Sequence, residues 1–361
     1  MPYPQYMRSQ HLRSQSPISA TGPISARGND LGELAILRQI RARAASTLTN
    51  SLHLGIGDDC ALISPRPGEN LALTTDLSIA GRHFRLDWHQ PESVGHRALA
   101  RGLSDLAAMG ARPIAAFLSL GLPCELAHSN RRISWLQRFL DGFLTLAMNH
   151  KTPLAGGDLS ESPIALADIV LIGAVPRGKA ILRSGARPGH LVYVTGSLGG
   201  SASALARLAE FAQSQSAQLN PPRIPKRLQS VLAPHLFPQP RIPQGLFLQR
   251  RSLASSAIDL SDGLSTDLAH ICEESRVAAE IDPALLPIHP AATMTQALHG
   301  GEDYELLFTA PPTARISKQI ANIPITKIGR ILPARQNRPA VNLLTPQGTE
   351  ALTAQGWQHF S

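Results

Sequence analysis

A chain of 361 residues that is 43% hydrophobic but only 4% aromatic has the length of two or three domains, with interiors built from aliphatic side chains. Its three cysteines, Cys60, Cys124 and Cys272, form no CxxC pair, which argues against a disulfide framework or a Cys-ligated zinc site and fits a reducing, cytoplasmic setting. The net charge of +8 is concentrated in two acid-free segments. Residues 1–28 hold Arg8, Arg13 and Arg27, and residues 221–251 hold Arg223, Lys226, Arg227, Arg241, Arg250 and Arg251. With no aromatic nucleic-acid platform or zinc finger beside them, they read as solvated basic segments rather than a nucleic-acid surface. The opposing reading, a basic RNA-binding protein using 221–251, requires binding that weakens steeply with salt and needs no ATP.

Residues 1–28 are rich in Ser, Pro and Arg without an apolar run, which predicts a disordered tail. No stretch approaches the ~20 apolar residues of a membrane span. A helical stripe over Gly32–Arg43 is followed by strand candidates Asp59–Ser64 and Asn70–Asp76, a helix over Glu92–Met109 stopped by Gly110, and a strand over Ile114–Leu120. Next come a helix over 130–149 and a strand over Pro163–Val175, then a Gly- and Pro-dense crossover, RGKAILRSGARPGH, that separates domains 29–180 and 181–361. Beyond it, the sequence predicts strand His190–Thr195, a glycine turn and helix through Phe211, a Pro-rich loop over 214–245, strand Ala257–Leu260, helix Gly263–Ser275 and strand Tyr304–Ala310. Strands and helices mix without strict alternation, favouring two α+β domains over one doubly wound sheet.

The chemistry is signalled by carboxylates that interrupt apolar or glycine-rich segments. These are Asp58 and Asp59 in GIGDDCAL, Asp76 in TTDLSIAG, Asp105 in GLSDLAAMG, Asp158 in AGGDLS, and Asp259 and Asp262 in AIDLSDGL. Burying them together requires cations, and Mg²⁺ suits carboxylate and hydroxyl oxygens such as those of Thr74, Thr75 and Ser261. Each acid alone reads equally well as a turn or cap residue, Asp262 as the cap of the helix beginning at Gly263. Asp105 differs, because the C-terminal end of a helix disfavours negative charge and so requires a positive group opposite it.

GAVPRGKA at 173–180 matches a phosphate-binding loop except at Ala180, where a hydroxyl must hold Mg²⁺, and the following Gly and Pro residues leave no long helix. TGSLGGSASAL at 195–205 has the strand, turn and helix order that can seat an anion, but close helix packing explains it as well. No HExxH or GxSxG occurs. A missing catalytic base suits phosphoryl transfer to an acceptor already ionised, such as a phosphate monoester with second pKa ~6.

Ten segments in order, GELAILRQI, GIGDDCALI, TTDLSIAGRHF, LSDLAAMGARP, GGDLS, LRSGARPGHLVYVTGSLGGS, AIDLSDGLSTDLAHI, GGEDYELLF, IGRI and GWQHF, resemble the thiamine-monophosphate kinase family, within the aminoimidazole ribonucleotide synthetase-like group. The resemblance implies two α/β-layered domains, the N-terminal one forming the sheet of a homodimer. It implies ATP-dependent phosphorylation of thiamine monophosphate by direct in-line transfer at several Mg²⁺ ions, without acid–base residues. It implies metal ligation by Asp59, Thr74, Thr75, Asp76, Asp105, Asp158, Asp259 and Asp262, and ATP contacts from Gly157, Asp158, Arg183 and Ser261. His83, Glu302 and Trp357 are implied to touch thiamine phosphate. On their residues alone, His83 reads as a partly buried histidine, Glu302 as a solvated acid and Trp357 as a packing residue.

The chain departs from the family at TDLSI, 75–79, where Leu77 stands for a hydroxyl, and at PHLFPQPRI, 234–242, which lacks basic residues of the usual turn. An aminoimidazole ribonucleotide synthetase-like ligase is the alternative enzyme. A selenophosphate synthetase would need an early Cys and Lys, whereas no Cys precedes Cys60 and no Lys precedes Lys151.

Overall fold

A computed structural model describes residues 33–44, 51–127, 134–214, 223–334, 336 and 340–356. The tail 1–28 and Trp357 lie outside them. The first half comprises α1 (Glu33–Ala44), β1 (Leu52–Leu54), β2 (Leu62–Ile63), β3 (Glu69–Ile79), α2 (Pro91–Ala108), β4 (Arg112–Leu122), α3 (Cys124–Ala127), α4 (Trp135–Asn149), β5 (Leu154–Glu161) and β6 (Leu166–Pro176). The second comprises β7 (Leu191–Thr195), α5 (Gly200–Ser214), α6 (Lys226–Leu236), α7 (Ile242–Arg250), β8 (Ser256–Asp259), α8 (Leu264–Ser275), β9 (Val277–Ile281), α9 (Met294–His299), β10 (Leu306–Ala310), β11 (Gln319–Ile320), β12 (Ile323–Pro333), β13 (Val341–Thr345) and β14 (Gly348–Ala351).

The first sheet runs β3-β6-β4-β5, antiparallel except for the parallel β4–β5 pair. The second runs β14-β13-β9-β12-β7-β10-β8, with β11 on β12, and only β13–β9 is parallel. This is an α+β architecture. Helix α2 lies between the sheets. Of its 18 residues 15 are buried, and Leu99, Leu103 and Leu106 share a core with Phe139 and Phe143 of α4, Ile169 and Leu171 of β6, and Leu306 and Phe308 of β10. No helix among the described residues is long and apolar enough to cross a membrane.

Residues 214–245 differ from the loop expected of them, since α6 and the first four residues of α7 lie in this span. Two of the prolines begin helices, Pro225 as the N-cap of α6 and Pro243 in the first turn of α7, where no amide donor is needed, and Pro234 is accommodated inside α6, near its end. Leu232 and Leu236 are buried beside Leu208 of α5 and Ile224. The strand expected over Asp59–Ser64 shrinks to Leu62–Ile63, leaving Asp59 in an exposed turn. The segment AGGDLS is an edge strand, β5, not a loop.

Backbone contact at glycines brings α4 onto α2. A Cβ at Gly95 would stand 2.0 Å from the Phe139 carbonyl oxygen, and one at Gly142 would stand 1.8 Å from that of Glu92. Gly95→Ala is therefore expected to force the helices apart and cost ~3 kcal/mol, as over-packing of a rigid core does. A midpoint of chemical denaturation within about 0.5 kcal/mol of wild type would contradict this packing.

Candidate active site

Helix α2 carries Arg97, Arg101, Ser104 and Asp105 at spacings of four, three and one, which places them along one side of the helix. A charge in this buried setting needs a partner. Arg97 Nη2 lies 2.6 and 2.7 Å from the two carboxylate oxygens of Glu302, and Nη1 donates to the His83 carbonyl at 3.1 Å. Arg101 pairs with Asp76 of β3 at 3.0 Å. Asp105 accepts from the Thr74 hydroxyl. Ser104, fully buried, faces Asp259 at the end of β8 without a formed hydrogen bond, close enough to favour the ionised carboxylate.

Ser261 and Asp262 follow β8 in a loop held from inside α8. Asp267 Oδ2 accepts the backbone N–H groups of Ser261, Asp262 and Gly263 at 3.1, 3.1 and 3.0 Å. The cap of α8 is Gly263, with no side-chain cap, so Asp262 does not have the capping role open to it from sequence and its side chain lines a cavity.

Electrostatics sets these acids apart. Burial pushes the Asp105 carboxyl up to about 6; Asp76 adds to the rise, while the Thr74 hydroxyl and then Arg183 and Arg101 oppose it. Burial also raises Asp259 well above the carboxylate range, reinforced by Asp105 and Asp76. Asp76 is raised by burial against the opposing pull of Arg101, with Asp168 and Asp262 adding to the rise. The positive groups required opposite Asp105 are thus Arg101 and Arg183. Asp76, Asp105 and Asp259, raised by burial and by neighbouring acids, together with Asp262 beside Asp76, are a donor set suited to Mg²⁺, which would replace repulsion among them with attraction. Among the described residues, however, no three His, Cys, Asp or Glu side chains converge closely enough to hold a metal ion as they stand.

Three hollows divide the expected residues. One of about 520 Å³ is lined by Thr75, Asp76, His83, Asp105, Asp259, Ser261, Asp262 and Glu302. A second, of about 450 Å³, is lined by Thr74, Asp105, Arg183 and Asp259, so Asp105 and Asp259 border both. Asp59, Gly157 and Asp158 line a third, with Leu37 and Phe117. Asp158 pairs in register with Ser119, in the row of Asp168 and Leu77, whereas Asp76 shares its row with Ile169 and Leu118. Alternation places these rows on opposite sheet faces, with β5 three strands from β3, or ~14 Å. Asp59 and Asp158 accordingly stand apart from the central four acids.

The remaining motifs resolve as follows. Residues 173–180 end β6 and enter a turn, with no helix after it. The start of α5 does not await an external anion, because Asp303 accepts the N–H groups of Gly199 at 2.5 Å and Ser201 at 2.9 Å. Glu302 is not a solvated acid but the partner of buried Arg97. Arg241 is not part of a solvated basic loop; it holds both oxygens of buried Glu305 at 2.5 and 2.6 Å, and Glu305 also accepts from Thr195. Sequence reasoning missed Arg97, Arg101, Ser104 and Asp267, although arginines four apart in an otherwise small and apolar helix are a readable signal.

Residues 57–178 match the family described as AIR synthase related protein, N-terminal domain. A thiamine-monophosphate kinase of Escherichia coli is 40% identical over 312 residues, covering 83% of this chain and 90% of that protein. The crystal structure of thiamine-monophosphate kinase from Stenotrophomonas maltophilia matches at 37% identity and TM-score 0.73, over 86% of this chain and 96% of that one. AaThiL complexed with AMPPCP and TMP matches at 29% identity and TM-score 0.69, over 93% and 99%.

Because the folded Asp105 carboxyl binds its proton up to about pH 6 and an unfolded one releases it near pH ~4, the metal-free protein loses stability as pH rises through that interval. Asp105→Asn removes the penalty. In chelator at pH 7.5 this variant is expected to melt a few degrees above wild type, with the difference vanishing near pH 4. A lower melting temperature at pH 7.5 would show that the Thr74 bond outweighs the repulsion.

Proposed function

Since this chain belongs to the thiamine-monophosphate kinase family, we propose that it transfers the terminal phosphoryl group of ATP to thiamine monophosphate, giving thiamine diphosphate and ADP. The observation carrying this reading is the gathering of Asp76, Asp105, Asp259 and Asp262 around one cavity that also holds His83 and Glu302. Asp76, Asp105, Asp259 and Asp262 would hold magnesium, with Thr74, Thr75 and Ser261 oxygens beside them, and the bound cations would neutralise charge on the transferring phosphoryl group. Arg183, across Asp105 and Asp259 from the larger cavity, is placed to meet ATP phosphates with its forked donors. Asp59, Gly157 and Asp158 belong to the nucleotide and magnesium side of this assignment, from the third hollow.

His83 Nδ1 accepts the Ile79 amide at 3.1 Å, which fixes the ring at the wall of the larger cavity. Glu302, clamped by Arg97, presents a fixed acceptor suited to an aminopyrimidine or a thiazolium cation. The acceptor phosphate attacks the terminal phosphorus of ATP in line as its bond to the bridging oxygen breaks; a phosphate monoester is already ionised at neutral pH, so no base is required. ADP release is expected with thiamine monophosphate and ATP and not with free thiamine, whose hydroxyl needs a base. Asp76→Asn is expected to abolish turnover while leaving the circular dichroism spectrum unchanged. Faster turnover of thiamine than of its phosphate would overturn the reading.

Leu71, Leu73 and Leu77 of β3 are 42%, 63% and 44% exposed and alternate along one strand face, an apolar row that a soluble monomer rarely leaves bare. We assign this face to a homodimer of cytoplasmic chains, formed sheet against sheet. Leu73→Glu is expected to convert the sedimenting dimer to monomer at micromolar concentration; wild type already monomeric there would refute the assignment.

A further inference from the structure

Two histidines in the wall of the larger cavity have no part in the reaction as described. His89 precedes α2 and His235 stands near the end of α6, in the turn where this chain departs from the family. Both are 2% exposed, and their Nε2 atoms are 3.0 Å apart. At the far end, His235 Nδ1 is 3.1 Å from the hydroxyl of Ser201, a residue 1% exposed in the first turn of α5.

The chain has a direction. Arg85 N–H is 3.1 Å from His89 Nδ1, nearer than the Arg85 carbonyl at 3.3 Å. The Arg85 carbonyl already accepts the His89 backbone N–H at 2.9 Å, so the nearer contact assigns Nδ1 as the acceptor of the Arg85 amide and places the ring proton on Nε2. His235 Nε2 must then accept, which puts its proton on Nδ1 and directs it to Ser201 Oγ. Ser201, having accepted, is left with its own proton to donate. Burial pushes His89 down to about 3 and His235 well below its ordinary value, so both rings remain neutral, as the relay requires. The backbone of Ser201 is fixed independently by Asp303. Facing the relay are Glu302, 3.4 Å from His235 Nδ1, its partner Arg97, and the Arg85–Asp87 pair.

We propose that Ser201 is a hydrogen-bond donor to the organic phosphate bound in this cavity, and that His89 and His235 are positioning residues that act through it by fixing its proton. The proposal rests on the reading above that thiamine monophosphate is the acceptor. A helix start whose amides are already taken by Asp303 thereby serves the ligand through a side chain instead. The His–His contact also joins the two halves at the cavity, so the donor is registered against groups from the first half.

The test is steady-state kinetics of the full chain together with a ring tautomer measurement. Ser201→Ala is expected to raise KM for thiamine monophosphate about tenfold with KM for ATP unchanged. His235→Ala is expected to do the same alone and to add less than twofold in the Ser201→Ala background. His235→Asn, whose amide nitrogen takes the place of Nδ1, is expected to restore most of the affinity, and His235→Gln is not. Equal rises in both KM values, additive effects, or no rescue by Asn would show that His235 only packs, and would overturn the proposal. Wild type inert toward thiamine monophosphate would overturn the functional reading instead. Independently of turnover, long-range ¹⁵N–¹H correlation spectra are expected to show His89 protonated at Nε2 and His235 at Nδ1; the reverse tautomers would overturn the relay.

Discussion

A helix that is buried on nearly every side and still carries two arginines and an aspartate is the constraint on which this fold turns. Each buried charge left unpaired costs several kcal/mol, so α2 dictates what must stand around it. Thr74 and Asp76 come from β3, and Asp259 and Glu302 come from the second half. The site therefore forms at the seam between the sheets, because that is where the polar side of α2 emerges. Glycine contacts set how closely this helix can be approached. Gly95 and Gly142 admit α4, and Gly245 of α7 admits the Ala107 carbonyl, which a Cβ would meet at 2.0 Å. Backbones this close leave little freedom to slide, so the spacing of the charged groups is inherited from apolar packing.

The same crowding leaves the acids in an environment that penalises ionisation. Asp76, Asp105 and Asp259 are all raised, with burial the leading cause and neighbouring acids adding to it. Arg101 and Arg183 offset part of this. A protein that only had to be stable would place neutral side chains here, and retention of four carboxylates at one cavity is the kind of local conflict that a functional site tolerates. Asp267 shows how the rest adapts. One carboxylate oxygen gathers three backbone amides and holds the loop bearing Ser261 and Asp262, so two cavity residues are placed by a group that never reaches the cavity.

Much of this was legible in the chain. The odd placement of Asp105 at a helix end correctly demanded cations opposite it, and the glycine and hydroxyl neighbours of Asp76, Asp259 and Asp262 marked them as more than surface acids. The arginines of α2 were less visible because arginine on a helix ordinarily faces solvent, and only their spacing within an otherwise small and apolar helix distinguishes them. Proline density hid α6 and α7, since counting prolines does not reveal that Pro225 and Pro243 occupy positions where a missing amide costs nothing. The separation of Asp158 from Asp76 was not readable at all. It depends on the parallel register of β4 with β5, a pairing between strands distant in sequence, and one residue of slip would reverse the face on which Asp158 lies.

Packing and polar pairs also join the two halves at the site. The shared core joins α2 to Phe308 and Leu306, while Arg97–Glu302 and His89–His235 cross the same seam. Separating the halves would strip Arg97 of its carboxylate inside a buried setting, a loss of ~3–5 kcal/mol from that pair alone, before any apolar area is counted. Arg97 Nε is buried without a partner already, so its remaining bonds to Glu302 and to the His83 carbonyl carry the whole compensation for its charge. The placement of the acids, Glu302 and Ser201 is consequently set by the packing and the ion pairs that cross this seam.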